Sequence, residues 1–576
     1  MKELEVWAPR AGTVALVGEE DRFPMTRNTD GWFCAPLPPP DTDYSLSLEG
    51  GPPRPDPRSG SQPAGVHGRS RVVDHEAFTW SDHDWKGLSL DELIVYELHV
   101  GTFTAEGTFD GIARNLDHLV DLGVTAIELM PVAEFAGSRG WGYDAVDLYA
   151  PHHSYGGPSA LKQLVAACHR RGLGVILDVV YNHLGPDGNY LAEFGPYFTD
   201  RYATPWGTAV NLDGADSGPV RDFLIDNALM WLRDYHFDGL RIDAIHAIVD
   251  TSAIHFLEEL KQRVEELETS LGRRLLVIAE SDLNDPRVVR RRGRGGYGLD
   301  AEWCDDFHHS VHALLTGERT GYYADFGAIG HIAKALQNGY MYDGIYSGFR
   351  RRRHGRSTEG LGGHNFVGYI QNHDQVGNRA AGERLSSLVS ADHAKVAAGL
   401  LFTSPFVPLL WQGEEWAATS PWHYFTDHTP QLGAAVSRGR KREFAAFGWP
   451  EELVPDPQEV QTFTRSKLEW SELEDPRHAD MLDWYRKLIA LRKSRPELHD
   501  GRMDLVRTTF DESGGWLLVS RGPLTIACNF GSATASVPVA ESDRGHEVLR
   551  SSLKPPEIQT DSIGLPGESL AIWSRQ

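Results

Sequence analysis

The sequence is poor in cysteine and has no long apolar run. Its four cysteines among 576 residues, Cys34, Cys168, Cys304 and Cys528, are far apart and form no C-x-x-C pair. This spacing predicts neither a zinc site nor a disulfide framework. No stretch approaches the roughly 18 consecutive apolar residues of a membrane span, and the N-terminal residues lack the apolar core of a secretory signal. We therefore expect a soluble protein of a reducing cytoplasm.

Basic residues are also scarce. The chain has 56 Lys and Arg against 81 Asp and Glu, a formal net charge of −25. This balance argues against nucleic acid as a partner, which needs a basic surface, and against anionic membranes. A neutral substrate rich in hydroxyl groups remains compatible with it. The 16 Trp and 19 Tyr offer faces on which sugars can stack, although most large aromatic side chains belong to protein cores.

The order of sequence patterns predicts a barrel between two β-domains. Residues 1–88 show short strands and turns, residues 89–497 alternate apolar strand-like runs with helical spacing, and residues 498–576 lose the helical period. Repeated βα units with nearly continuous apolar strands indicate a parallel sheet covered on both faces. About 400 residues of such units favour a (β/α)8 barrel. The predicted fold is multidomain, with a central TIM barrel flanked by N-terminal and C-terminal β-sandwich domains.

The individual elements can be predicted from the same patterns. The predicted barrel strands are Ile94–Leu98, Ala126–Met130, Gly174–Val180, Gly239–Asp243, Leu275–Glu280, Phe366–Ile370 and Pro408–Trp411. The predicted helices are Gly111–Leu122, Ser159–Arg171, Val220–Tyr235 and Thr251–Leu271. A hairpin is predicted near the C-terminus from Gly515–Ser520 and Leu524–Phe530.

Polar side chains stand where several of these strands end. They are Asp178 at the end of one strand with Asn182 and His183 following, Arg241 and Asp243 at the end of the next, then Glu280, and finally His373 and Asp374. In a barrel these ends converge on one face, where active sites lie. Arg241 and Asp243 are two residues apart, so on a strand they point the same way, and the cation can hold the carboxylate ionised.

Three acids with two histidines and an arginine suit glycoside hydrolysis. In that chemistry one carboxylate attacks the anomeric carbon and one carboxylic acid protonates the leaving oxygen. Each acid taken alone has an alternative interpretation as a helix N-cap, a common use of Asp after a strand. That alternative would have to hold at four strand ends at once, so we favour catalysis.

These motifs are similar, in order and spacing, to the four signature regions of the α-amylase superfamily, glycoside hydrolase family 13. The resemblance implies that Asp243 is the nucleophile, that Glu280 is the general acid/base and that Asp374 binds ring hydroxyls and distorts the sugar. It also implies that Asp178 supports the site from behind. Substrate contacts are implied for Arg241, which would orient the nucleophile, for His183 and His373, which would hydrogen-bond the sugar, and for Tyr143, which would stack under it unless it is an ordinary loop tyrosine.

A narrower resemblance concerns the substrate. Tyr96–Phe103 is similar to the branch that contains branching enzymes, isoamylases and trehalohydrolases, whose members carry an N-terminal β-sandwich. Glu302–His309, Ser347–Arg350 and Gln412–Trp416 resemble the maltooligosyltrehalose trehalohydrolases. This resemblance implies retaining hydrolysis of the α-1,4 bond next to the terminal α,α-trehalose of maltooligosyl trehalose, and functional pairing with a maltooligosyl trehalose synthase. Cys304 stands where that pattern has a polar Asn, and we expect it to be buried.

The same resemblance implies a pocket for the leaving trehalose. The candidates for its lining are His246, Asp282, Asp306, Phe307, Tyr340, Phe349 and Arg350, and for each the alternative is ordinary loop packing or a surface charge. Two other functions stay open: a glycogen branching enzyme, and a glycan-binding protein on an inactive barrel, which would be expected to lack one of the acids. No cofactor is implied. The insert after Asp178 offers no obvious carboxylate cluster for calcium, so we predict no required metal.

Overall fold

Eight parallel strands close into a barrel in the computed structural model, which describes residues 2–446 and 449–575. The strands are β1 (Val95–Leu98), β2 (Ala126–Leu129), β3 (Gly174–Val179), β4 (Gly239–Ile242), β5 (Leu276–Ala279), β6 (Ala301–Trp303), β7 (Phe366–Tyr369) and β8 (Val407–Trp411). Each pairs in parallel with the next, and β8 pairs with β1. Every residue of the eight strands is buried, as expected for a parallel sheet covered on both faces. The predicted barrel is confirmed.

Two details of the barrel differ from the sequence prediction. The strand β6 was not predicted, because it has three residues and Glu302 interrupts its apolar run. The helical stretch predicted at Gly111–Leu122 is two helices, Phe109–Arg114 and Leu116–Leu122. Asn115 separates them, since its backbone leaves the helical conformation and its side-chain amide donates to the Gly111 carbonyl (3.0 Å).

Additional antiparallel sheets lie before and after the barrel, as predicted. Before it, one sheet has the order Glu3–Trp7, Trp32–Pro36, Thr26–Arg27, and the other has the order Arg22–Pro24, Val14–Val17, Asp43–Leu48, Ser70–Arg71. After it, a five-stranded sheet (Val506–Asp511, Trp516–Arg521, Leu524–Asn529, Ser569–Ser574, His546–Arg550) faces a three-stranded one (Ala535–Pro538, Ser562–Leu565, Glu557–Ile558). Apolar residues of both C-terminal sheets form one buried cluster, which makes this region a sandwich. The domain boundaries at residues 88 and 497 stay predictions.

Helices surround the barrel and fill its connections. The α-helices are Val100–Phe103, Phe109–Arg114, Leu116–Leu122, Gly157–His169, Leu191–Phe194, Ser217–Asp234, Phe256–Leu271, Asp305–Thr316, Ile329–Asn338, His373–Gly377, Leu385–Leu388, Ala391–Thr403, Pro430–Ala446, Val460–Arg465, Pro476–Ser494, Pro496–His499 and Glu541–Arg544. The predicted helix at Thr251–Leu271 begins at Phe256, because the His255 ring caps it by accepting from the Leu257 N–H. Within the described ranges, no helix has both the length and the apolar composition to cross a membrane.

Three excursions from the C-terminal ends of the barrel strands surround the central opening. The connection after β3 carries a hairpin of Phe198–Thr204 and Gly207–Val210. The connection after β6 carries a hairpin of Asp343–Ser347 and Arg352–Gly355, and the connection after β8 carries the helix Pro430–Ala446. These excursions provide the walls of the cleft described next.

Candidate active site

A cleft of about 810 Å³ opens over the C-terminal ends of the barrel strands. The structure brings together there most of the residues that the sequence predicted as a site. Those that line the cleft are Tyr143, His183, Arg241, Asp243, His246, Glu280, Asp282, Phe349, Arg350, His373 and Asp374. The arrangement follows from barrel geometry, because parallel strands deliver their C-terminal residues to a common face.

Arg241 is the centre of the polar network below the cleft. Its Nη1 donates to Asp243 Oδ1 (2.8 Å) and to both oxygens of Asp178 (2.9 and 2.8 Å). Its Nη2 lies 3.7 Å from Glu280 Oε2. The guanidinium lies over the Trp303 ring, 4.3 Å from its centroid. One buried cation therefore joins three carboxyl groups and is held in place by an aromatic face.

The two carboxyl groups expected to react are fixed by different donors. Asn182 Nδ2 donates to Asp243 Oδ2 (2.8 Å), so each oxygen of Asp243 accepts a hydrogen bond. The backbone N–H of Ala244 donates to Glu280 Oε2 (2.6 Å). Ala244 has a positive φ of 40°, a conformation rarely adopted outside glycine and typical of functional sites. This turn directs a backbone donor at the neighbouring strand's carboxyl group.

Burial raises the pKa of Glu280 well above its usual value. The nearby Arg241 guanidinium lowers it, while the negative charges of Asp243, Asp305 and Asp374 raise it further. The side chain keeps 19% of its surface exposed to the cleft. The raised pKa favours the protonated form of Glu280, whose exposed edge can present the proton to a bound ligand.

Tyr143 and His373 form a second hydrogen-bonded layer beside the acids. The Tyr143 hydroxyl donates to Asp178 Oδ2 (2.6 Å) and lies 2.7 Å from His373 Nε2. Glu97 accepts from the backbone N–H of His373 (3.0 Å) and is hydrogen-bonded to its Nδ1. Burial raises the pKa of Glu97 to about 8 and lowers that of His373 to about 4. The network is satisfied when protonated Glu97 donates to Nδ1 and Nε2–H donates to the Tyr143 oxygen.

His183 lies under an aromatic residue that the sequence analysis did not single out. Its ring stacks on Trp206, with centroids 5.1 Å apart and planes 14° apart, and burial lowers the pKa of His183. Trp206 is 46% exposed at the tip of the hairpin after β3. The sequence signal that could have located Trp206 is its place between Pro205 and Gly207 in an otherwise polar insert. The other cleft residues that were not predicted include Trp141, Asp144, Asp305, His309, Tyr322, Tyr424 and Arg440.

The hairpin after β6 presents Phe349 and Arg350 to the cleft. Asp325 accepts from the backbone N–H groups of Gly348 (3.1 Å) and Phe349 (3.2 Å), which fixes the hairpin tip. The Phe349 ring remains 44% exposed. Arg350 Nη1 donates to Asp282 Oδ2 (3.0 Å), while its Nε is buried without a hydrogen-bond partner among the described residues. This wall offers an aromatic face, a carboxylate and free guanidinium donors.

Asp306 does not line the cleft, although the sequence predicted it there. It follows Asp305, which does line the cleft, and successive residues of a helix point in different directions. Asp306 Oδ2 accepts from the backbone N–H groups of Met341 (2.7 Å) and Tyr342 (2.9 Å) and from Asn284 Nδ2 (2.8 Å). The carboxyl group supports the connection that leads to the hairpin.

Phe307 and Tyr340 also lie outside the cleft, in the core behind it. Phe307 is fully buried and packs edge-on against Phe406 at 5.4 Å. Tyr340 is 1% exposed and packs edge-on against Phe366 at 5.2 Å. Both side chains pack against residues at the N-terminal ends of β7 and β8, and neither lines the opening.

A group of possible metal ligands lies away from the cleft at Glu134, His152 and His153. His153 Nδ1 is hydrogen-bonded to Glu134 Oε1 (2.7 Å). The Ser154 N–H donates to His152 Nδ1 (3.2 Å), which leaves the ring proton on Nε2, the atom 3.8 Å from Glu134. A nitrogen that carries a proton is not a metal ligand, so this group reads as a hydrogen-bonded cluster.

Known proteins are similar in sequence over nearly the whole length of this chain. Residues 70–203 match the catalytic domain of α-amylase. The chain is 50% identical over 545 residues to the malto-oligosyltrehalose trehalohydrolase of Arthrobacter ramosus, covering 93% of this chain and 94% of the relative. It is 47% identical over 580 residues to the enzyme of the same name from Mycobacterium tuberculosis, covering 99% of both.

A solved structure has the same fold over nearly its whole length. The crystal structure of a candidate α-amylase from Salmonella typhimurium superposes with a TM-score of 0.92 at 39% identity, covering 100% of this chain and 97% of that one. The chain therefore belongs to the malto-oligosyltrehalose trehalohydrolases, a family of glycoside hydrolases with the α-amylase catalytic domain.

Proposed function

We propose that this chain hydrolyses the α-1,4 bond next to the terminal α,α-trehalose of maltooligosyl trehalose and releases trehalose. The observation that carries the proposal is the pairing of two carboxyl groups in one cleft. Asp243 accepts hydrogen bonds from Arg241 and Asn182 on both oxygens, while burial raises the pKa of Glu280 well above its usual value. A retaining glycosidase needs one group of each kind.

The proposed reaction has two displacements. Asp243 attacks the anomeric carbon as the bond to the leaving oxygen breaks, and Glu280 gives its proton to that oxygen. Water then loses a proton to the Glu280 carboxylate and attacks the same carbon, which breaks the bond to Asp243 and restores both groups. Arg241 stabilises the negative charge that the acids share at each stage.

Asp374 and Tyr143 would hold the sugar at the cleavage point. Asn378 Nδ2 donates to Asp374 Oδ1 (2.6 Å), so Oδ2 is left to accept from ring hydroxyls. The Tyr143 ring stacks on His373 (5.3 Å, 27°) and lines the cleft, which offers a platform for the sugar face. Binding of a distorted ring would lower the barrier to the planar, oxocarbenium-like transition state.

The choice of bond would depend on the hairpin after β6. Plain and trehalose-ended oligosaccharides use the same acids, so selectivity is a difference in transition-state binding on the leaving side. Phe349 provides an aromatic face and Arg350 a planar set of donors. Asp282 and His246 complete this wall as hydrogen-bonding groups.

Product analysis tests the proposal. The purified chain, incubated with maltooligosyl trehalose, should release trehalose and a shortened maltooligosaccharide. A branched glucan would instead indicate a branching enzyme, and unchanged substrate would indicate a glycan-binding protein. Proton NMR during the reaction should show the α-anomer first, because two successive displacements at the anomeric carbon retain its configuration. Initial release of the β-anomer would contradict the double displacement.

The substrate implies a supplier. We propose that a maltooligosyl trehalose synthase makes this substrate in the same compartment, the cytoplasm. The chain alone should release no trehalose from plain maltooligosaccharide, which has no α,α-1,1 bond, and adding such a synthase should start the release. Trehalose release from the plain substrate at the same rate would contradict the pairing.

A further inference from the structure

Arg440 reaches into the cleft from the helix after β8. The side chain is 11% exposed. Its Nη2 donates to the Gly377 carbonyl (2.6 Å) and its Nη1 donates to Asn378 Oδ1 (2.9 Å). The guanidinium also lies over the Tyr424 ring, 5.1 Å from its centroid. Arg440 therefore joins the helix to the end of the short segment that carries Asp374.

The contact with Arg440 determines how the Asn378 amide is oriented. A guanidinium has donors only, so the amide oxygen must face it, and the amide NH2 must face the other way. On that side Asn378 Nδ2 lies 2.6 Å from Asp374 Oδ1. Within residues 2–446 and 449–575, this amide is the one side-chain or backbone donor found on the Asp374 carboxylate.

We propose that Arg440 is a positioning residue that fixes the orientation of the Asp374 carboxylate through Asn378. The inference rests on the proposed function, in which Asp374 binds the distorted sugar. Without Arg440 the amide is free to turn and present its oxygen to the carboxylate, which repels it. The positive charge of Arg440 also polarises the Asn378 amide and so strengthens the hydrogen bond that Nδ2 donates to Asp374.

Contacts other than the Arg440–Gly377 hydrogen bond also hold the backbone of this segment, which lets the carboxylate orientation be tested. Asn372 accepts from the Gln375 N–H (2.7 Å) at the start of the helix His373–Gly377. Gly377 lies so close to Trp141 that an added Cβ would be 2.1 Å from the ring. Loss of Arg440 should therefore turn a side chain rather than unfold the helix.

The test is a double-mutant cycle with Arg440→Ala, Asn378→Ala and the double variant, assayed on maltooligosyl trehalose. We expect each single change to lower kcat about 10–100-fold with little change in KM, the scale for a misplaced reacting group. The double variant should be no slower than the slower single variant, because both changes break one chain of contacts. Arg440→Lys should recover part of kcat, since an ammonium group still donates to the Asn378 oxygen.

Arg438→Ala is the matched control, an exposed arginine on the same helix outside the cleft lining, and should keep wild-type kcat and KM. Thermal unfolding of every variant should stay near the wild-type temperature. Arg440 also lines the cleft and so has a competing role as a direct glucan contact. A raised KM at unchanged kcat, or additive losses in the double variant, would overturn the positioning role.

Asp374→Asn separates this inference from the proposed function. If Asp374→Asn leaves kcat unchanged, the assigned role of Asp374 fails and the positioning role of Arg440 with it, whereas the proposed function fails only if the wild-type chain releases no trehalose. If Asp374→Asn lowers kcat while Arg440→Ala does not, only the positioning role fails. In the Asp374→Asn background, Arg440→Ala should cause less than a threefold further loss.

Discussion

The floor of the cleft and the wall beside it are built in opposite ways. The floor consists of Arg241, Asp243 and Glu280, on the ends of β4 and β5, and Arg241 is 2% exposed with its Nη1 donating to the carboxyl groups of Asp178 and Asp243. The hairpin wall consists of Phe349, Arg350 and Asp282, and Phe349 is 44% exposed. In the floor, side chains hold one another. In the hairpin wall, each side chain keeps part of its surface open to a ligand, 38% for Asp282 and 20% for Arg350.

This difference separates turnover from selectivity. The floor side chains hold one another in place and are therefore preorganised to stabilise the charge that develops when any α-1,4 bond is cleaved. Groups that remain exposed gain their contacts from the substrate, so they distinguish one substrate from another. Changes in the floor should therefore slow all substrates alike, whereas changes in the hairpin wall should alter the ratio between two substrates.

Glu280→Gln should give the largest effect. A Gln cannot donate a proton to the leaving oxygen, so we expect kcat on maltooligosyl trehalose to fall about 10²–10⁴-fold. Wild-type activity should fall as the pH rises through the raised pKa of Glu280, since only the protonated form is active. The variant should lack this basic limb in its pH profile of kcat/KM.

The matched measurement uses an activated glycosyl fluoride, whose leaving group needs no proton. The Gln variant should still form the glycosyl intermediate from it, so the loss on this substrate should be smaller in the first step. Full activity on the natural substrate, or an unchanged basic limb, would remove Glu280 from the floor's chemistry.

Phe349→Ala and Arg350→Ala should give the next largest effect. Removing a buried hydrogen bond or a stacking contact costs about 1–3 kcal/mol, which is a loss of about 5–150-fold in selectivity. We expect kcat/KM on the trehalose-ended substrate to fall by that factor relative to plain maltooligosaccharide. Arg351→Ala is the control, an exposed neighbour outside the cleft lining. Equal losses on both substrates would place these residues in folding or in the cleavage subsite.

The sequence located the floor better than it located the trehalose pocket, because the candidates Asp306, Phe307 and Tyr340 lie outside the cleft, and the reason is geometric. Asp243 and Glu280 end strands, and a barrel sends strand ends to one face whatever the loops do. Asp306 comes from the start of a helix, where a shift of one residue separates a cleft position from a supporting one. Trp206 reaches the cleft from an insert whose path is set by tertiary contacts, so no local pattern placed it there.

Asp306→Ala tests the boundary between the two regions. Asp306 accepts from the Tyr342 N–H, and the Tyr342 hydroxyl donates to Asp325 (2.7 Å), which holds the Phe349 N–H. Removing the carboxyl group leaves buried donors unpaired, so we expect the free energy of unfolding to fall by about 1–3 kcal/mol. Selectivity should fall less than in Arg350→Ala, because loss of the Asp306 carboxyl group shifts the hairpin wall but removes none of its side chains.

Chemical unfolding and the two-substrate ratio measure both effects in one set of samples. Asp306→Asn keeps an acceptor oxygen and should lie between wild type and the Ala variant in stability. A selectivity loss larger than that of Arg350→Ala, at unchanged stability, would show that Asp306 touches the substrate.

Tyr340→Phe should give the smallest effect. The sequence predicted Tyr340 as a trehalose contact, whereas its ring packs on Phe366 and its hydroxyl is buried with no hydrogen-bond partner in the described part of the chain. Removing a hydroxyl that has no partner removes no hydrogen bond and relieves a desolvated polar group, so the unfolding free energy should stay the same or rise slightly. Kinetics on both substrates should match wild type. Tyr340→Ala, which leaves a cavity, should instead cost about 3–5 kcal/mol of stability. If Tyr340→Phe keeps its stability but loses selectivity for the trehalose-ended substrate, the hydroxyl reaches the ligand during turnover, and the hairpin wall extends deeper into the core than the exposed side chains indicate.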